Sequence, residues 1–172
     1  MPLSTANAAP TILDDIKQSK PFRTKSQEAY VALLRTADDA KRFVSDVLES
    51  EDVTLQQYNV LRILRGAGED GLPTLAVAER MVERTPGVTR LIDRMERKKW
   101  VVRVRCTEDR RRVWCRITPD GLSLLDRLDA PMEAIDDVLA GALGEDELVS
   151  WTEYMDRVRA HMHAMGSRGT TR

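Results

Sequence analysis

Apolar side chains recur along most of this chain at the three- and four-residue spacing of a helix, and near its middle they change to strict alternation. The first helical stretch is predicted over residues 26–48, where Tyr30, Leu33, Leu34, Ala37, Val44 and Val47 share a stripe. Thr24 followed by Gln27 has the spacing of a capping box at its start. Thr54-Leu-Gln-Gln57 repeats that pattern and opens a helix to about Arg65. Leu55, Tyr58, Leu61 and Leu64 form its buried stripe, and Gly66 and Gly68 end it. Pro73 and Thr74 introduce a short helix from Leu75 to about Met81. In Thr85-Pro-Gly, Thr85 is suited to cap the next helix, and Pro86 to its first position, where a missing N–H costs nothing. That helix is expected to reach about Lys98 and to bury Val88, Leu91, Ile92 and Met95.

From Trp100 the period becomes two. Val102, Val104 and Cys106 alternate with Arg103 and Arg105; Val113, Cys115 and Ile117 alternate with Arg112, Trp114 and Arg116. This predicts a two-stranded hairpin with one apolar and one basic face. Thr118-Pro119 then starts a helix carrying Leu122, Leu125 and Leu128, which Pro131 is expected to kink or interrupt before Ile135, Val138 and Leu139. Glu145, Asp146 and Glu147 suit the positive end of a last helix with Leu148, Trp151, Met155, Val158 and Met162 on one face. The predicted fold is mainly α with a small β-hairpin wing, a winged helix-turn-helix between dimerisation helices. Its parts are an N-terminal arm (1–20, with a helical turn near 12–16), a dimerisation helix (21–53), the DNA-binding region (54–118), C-terminal dimerisation helices (119–165) and a tail (166–172).

A short helix, a three-residue connection, a second helix and a basic hairpin form a DNA-reading module, in which the second helix enters the major groove. With Val88, Leu91, Ile92 and Met95 turned inward, Gly87, Thr89, Arg90, Asp93, Arg94 and Arg97 lie on the other faces. Pro86 and Gly87 let the backbone approach DNA closely, and Thr85, Thr89 and Arg90 are expected nearest base edges and phosphates. The hairpin turn carries Arg110, Arg111 and Arg112, a thin cationic protrusion suited to the narrow minor groove. A merely solubilising tip is the alternative.

Charge strengthens this picture through its distribution. The net charge of −1 would argue against nucleic acid, yet residues 54–118 hold 15 Lys and Arg against 8 Asp and Glu. The flanks are correspondingly acidic, which focuses positive potential on the middle of the chain. The start of the chain lacks the basic and apolar blocks of a signal peptide, and no apolar run approaches the roughly 20 residues that span a bilayer. A cytoplasmic protein is the expectation, with no membrane partner.

Three segments together resemble the MarR (multiple antibiotic resistance regulator) family. These are Gln57-Tyr-Asn-Val-Leu-Arg-Ile-Leu64, Arg84-Thr-Pro-Gly-Val-Thr-Arg-Leu-Ile-Asp93, and Asp109-Arg-Arg111 followed by Ile117-Thr118. The resemblance covers about residues 26–165. It implies a triangular homodimer with interleaved terminal helices, reading a pseudo-palindromic operator in double-stranded DNA. It further implies Arg111 in the minor groove, Asp109 bracing the wing through a nearby Arg, and a small aromatic effector that relieves repression. The family usually has Gly between recognition helix and wing; here Lys98-Lys99-Trp100 fills that joint, and a left-handed Lys99 would cost on the order of 1 kcal/mol. Apolar stripes on the flanking helices support a dimer independently, against a monomeric bundle. A winged-helix protein-interaction module without DNA binding is the rival reading.

Other candidates carry less. In an aligned hairpin Cys115 falls opposite Val102, roughly 13 Å along the ladder from Cys106, too far for a disulfide within one wing. Both cysteines read as small core residues. His161 and His163 leave a helix in different directions, so no metal site is expected, and no cofactor. No nucleophile elbow, phosphate loop or metalloprotease helix occurs, so an enzyme is not expected.

Overall fold

The computed structural model of the chain describes residues 10–83, 86–105 and 113–168. They form two compact units that divide between Asp46 and Val47.

The first unit holds α1 (Ile12–Asp15) and most of α2 (Lys25–Glu49). Thr11 caps α1, donating its N–H to the Asp14 carboxylate at 2.9 Å. At the start of α2, Thr24 Oγ1 accepts from the Gln27 N–H at 3.1 Å, while the Gln27 side chain accepts from Arg23 rather than Thr24. Arg35 of α2 holds Asp15 of α1 at 2.7 Å. Tyr30 and Leu34, predicted for a buried stripe, stand exposed, and so does Phe43.

The second unit contains α3 (Leu55–Ala67), a 3-10 turn (Gly68–Asp70), β1 (Leu72–Pro73), α4 (Thr74–Arg80), α5 (Val88–Arg97), β2 (Val101–Arg105), β3 (Val113–Ile117), α6 (Pro119–Ala142) and α7 (Glu145–Arg168). The Thr54–Gln57 capping box is formed in both directions. Tyr58, Val60, Leu61 and Leu64 of α3 are buried, together with Val77, the inward face of α5, Val101, Cys115, and Leu124, Leu125 and Leu128 of α6. Leu122 is exposed and Leu124 takes the place expected of it, so the buried stripe of α6 is rotated from the predicted one. Arg65 of α3 joins Asp129 of α6 through two hydrogen bonds, at 2.8 and 2.9 Å.

Three features depart from the sequence expectation. The sheet has three strands in the order β1-β3-β2, because the two residues of β1 pair with Cys115 and Trp114. The helix α6 is not interrupted at Pro131, one of the two outcomes expected there, and continues to Ala142 at the loss of one backbone donor. The register of the hairpin sets Arg103, not Val102, opposite Cys115. Cross-strand partners share a face, so Val101 and Arg103 lie with Cys115 and Ile117, while Val102 and Val104 are exposed. The predicted apolar face of β2 is therefore its outer one.

The joint at the wing base is closely built. Lys99 is left-handed (φ 61°), as its position demanded. Thr118 N–H donates to the Trp100 carbonyl at 3.0 Å, and its hydroxyl accepts from Gly121 at 3.1 Å to cap α6. A Cβ on Gly121 would stand 2.4 Å from the Trp100 carbonyl oxygen, so the close approach of α6 to the wing base requires glycine. Among the described residues no helix is long and apolar enough to cross a membrane.

Candidate nucleic-acid interface

The amphipathic division of α5 follows from its sequence. Val88, Leu91, Ile92 and Met95 recur at helical spacing and are buried. Thr89, Arg90, Arg94 and Arg97 are exposed on the remaining faces. Burying four apolar side chains anchors the helix, each contributing on the order of 1.5–3 kcal/mol, and leaves the guanidinium groups in water. The helix begins later than predicted. Gly87 is its N-cap residue, at φ 85°, and Pro86 lies in the preceding turn instead of the first helical position. The left-handed backbone at residue 87 is one that glycine adopts without a Cβ penalty. Pro86 and Gly87 are both exposed. Residues 81–83, 86 and 87 all lie outside both helices, so the connection from α4 is longer than the three residues expected.

The turn is tied back to the core. Val82 N–H donates to Asn59 Oδ1 of α3 at 2.9 Å, and Gln56 reaches Glu83 at 3.1 Å. Val82 and Leu75 of α4 are 88% and 70% exposed, which is unusual for such side chains and leaves apolar surface beside the cationic helix. A cavity of about 640 Å³ opens between α4, α5 and the wing strands, walled by Pro73, Leu75, Ala76, Thr89, Arg103 and Val113.

Arg103 is the residue whose place beside α5 sequence reasoning missed. Its side chain is 23% exposed and contacts Asp93 of α5 at 2.5 Å and Glu96 at 3.4 Å. It also donates to the carbonyl of Thr89 at 3.0 Å, and its N–H to Glu96 at 3.1 Å. Burial disfavours its charge, but the hydrogen bond to Asp93 and the charges of Asp93 and Glu96 outweigh that and hold its pKa above the ordinary value. This pairing offsets one of the two negative charges that Asp93 and Glu96 place on α5, so less of the field of Arg90, Arg94 and Arg97 is cancelled by their own helix. No local signal marked this, because Asp93 already has Arg90 and Arg97 at helical spacing on α5 itself.

Of the predicted site residues, Pro86, Gly87, Thr89, Arg90 and Arg94 come together on one exposed surface. Thr85, Asp109, Arg110, Arg111 and Arg112 lie outside the described residues, as does Cys106. Cys115 is buried, with its sulfur 3.4 Å from the Thr74 hydroxyl. Among the described residues no group of three or more His, Cys, Asp or Glu side chains is placed to hold a metal.

Comparison with known proteins places this geometry among its relatives. A family model described as MarR family matches residues 53–113. The crystal structure of a MarR transcription factor from Planctomyces limnophilus is 37% identical, covers 79% of this chain and 98% of its own, and superposes with a TM-score of 0.61. The MepR–DNA complex of S. aureus is 26% identical over 77% of this chain and 97% of MepR, with a TM-score of 0.70. The homoprotocatechuate degradative operon repressor of Escherichia coli is 27% identical over 103 residues, 60% of this chain and 68% of the repressor.

Proposed function

The chain belongs to the MarR family of DNA-binding transcription regulators, and from that premise we propose that it reads a pseudo-palindromic operator as a homodimer through α5 and the arginine-tipped wing. The observation that carries this reading is the division of α5, with four apolar residues buried and Thr89, Arg90 and Arg94 presented outward. The N-terminal part of α5 enters the major groove. Thr85, Pro86 and Gly87 bring backbone up to the phosphates, and Thr89, Arg90 and Arg94 face base edges and the flanking backbone. A bidentate arginine–guanine contact is worth about 1–3 kcal/mol of discrimination. Arg110, Arg111 and Arg112 follow the minor groove, with Asp109 bracing the turn.

The DNA-binding region is residues 54–118, and residues 21–53 and 119–165 supply the dimer contacts, with an arm (1–20) and a tail (166–172) outside them. Support comes from the apolar surface left open: Val149, Tyr154, Val158, Met162 and Met165 of α7 are exposed, as are Tyr30, Leu34 and Phe43 of α2. Two-fold symmetry then sets half-sites about one helical turn apart. The regulator works in the cytoplasm as a repressor that a small aromatic effector releases, and the relative named as an operon repressor supports that direction. An effector acts only by binding one lobe spacing better than another. Selection from a random duplex library tests the function directly. A two-fold-related consensus with half-sites one turn apart is expected; recovery of no consensus, with binding insensitive to salt, would refute it.

A further inference from the structure

Two helices, α2 and α5, end in the same way, both within the second unit. Asp52 after α2 and Lys99 after α5 are both left-handed, at φ 52° and 61°. Val53 N–H donates to Leu48 and Asp52 N–H to Glu49; correspondingly, Trp100 N–H donates to Met95 and Lys99 N–H to Glu96. Each is a Schellman cap with a non-glycine residue at the left-handed position. The two caps are joined. Lys98 Nζ donates to the Asp52 carbonyl at 2.8 Å and to its carboxylate at 2.6 Å, with the ammonium 4.4 Å from the centre of the Trp100 ring. One residue earlier, Glu51 accepts from Arg127 of α6 at 3.0 and 2.8 Å. That pairing holds the Glu51 carboxyl below its ordinary value.

We infer that Glu51 and Asp52 are positioning residues for DNA recognition, which fix the end of α5 against α6 without contacting the duplex. The inference rests on α5 being the recognition helix. Both residues are anions beside a DNA-binding region of net positive charge, and an anion with no other role there weakens DNA binding. Removing it would then tighten binding, whereas removing a positioning contact loosens it. The sign of the effect separates the two roles. Lys98 has its ammonium committed to Asp52, so it positions α5 and does not serve as a phosphate contact.

The test uses the full chain and its selected operator duplex, titrated at several salt concentrations. Asp52→Asn keeps a residue tolerant of the left-handed conformation, and Lys98→Met keeps the stem over Trp100. Each of these, and Glu51→Ala, is expected to weaken operator binding roughly threefold, the scale of an exposed ion pair. The Asp52→Asn/Lys98→Met double variant should be no weaker than the worse single one, and the salt slope should stay that of the wild type. Circular dichroism confirms that each variant is folded. Binding by Asp52→Asn and Glu51→Ala as tight as wild type or tighter overturns the inference. So does a salt slope lowered by about one in Lys98→Met, the mark of a lost phosphate contact. Arg94→Ala is the control for the premise. If it weakens binding while Asp52→Asn and Glu51→Ala do not, the positioning role alone fails; if it changes nothing, the reading of α5 fails and the inference with it.

Discussion

Arg103 of the wing holds Asp93 of α5 at 2.5 Å from the strand position directly across from Cys115. The wing and α5 are thus locked by a cation on the inner face of the sheet, and the same cation offsets one of two negative charges beside the surface expected to meet DNA. Arg103→Met should lower stability by about 1–3 kcal/mol, because Asp93 and Glu96 lose a charged hydrogen-bond partner. It should also weaken operator binding. Arg103→Lys should recover only part of both, since one ammonium cannot span Asp93, Glu96 and the Thr89 carbonyl as a guanidinium does. Urea denaturation and fluorescence anisotropy measure the two effects.

The outward arginines of α5 should behave differently. Arg90→Ala and Arg94→Ala are expected to leave the urea midpoint unchanged, because both side chains are exposed. Where the lost contact is to phosphate, the slope of log K against log salt should shrink by about one. Where it is to a base, one operator position should lose its preference at a cost of about 1–3 kcal/mol. An unaltered slope and an unaltered consensus in both variants would remove these residues from the interface.

Acid should loosen the joint between α3 and α6. The hydrogen bonds from Arg65 hold the Asp129 carboxyl below its ordinary 3.8. A carboxyl whose pKa is lowered by folding adds stability above its unfolded value and loses it as pH falls through the folded one. The stability gap between wild type and Asp129→Asn should therefore be full at pH 7 and begin to close below about pH 4. Urea midpoints across that range check it, and a gap that widens in acid would contradict the assignment.

Lys99→Gly should stabilise the chain by on the order of 1 kcal/mol, since the left-handed conformation carries no Cβ penalty in glycine. Gly121→Ala should do the reverse, by about 1–3 kcal/mol or more, because its methyl would meet backbone oxygen that cannot rotate away. Thermal melts of the two variants should move in opposite directions.

The elements legible in the sequence were those announced by local chemistry. The Thr54–Gln57 box, the buried quartet of α5 and the strained joint at Lys99 are each specified within a few residues. What escaped depended on partners far along the chain. Nothing local marks a two-residue strand such as Leu72–Pro73, which exists because β3 offers it an edge. Alternating valines in β2 suggested an inward face, but the ladder to β3 and the pull of Asp93 and Glu96 turn Arg103 inward instead. Thr85-Pro86 had the chemistry of a helix start, yet Gly87 supplies the left-handed turn from which α5 springs. Thr89, Arg90, Arg94 and Arg97 were found correctly as exposed because helical spacing fixes their direction once the core quartet is known.

Thr118 serves two masters: its backbone closes the base of the wing on Trp100, and its hydroxyl starts α6. Gly121 is seated against the same carbonyl, so the base of the ribbon is held to the head of α6 at two points. The last turn of α5 closes on that same Trp100, so a displacement at the head of α6 is handed on to the strands and to the outward arginines of α5 together.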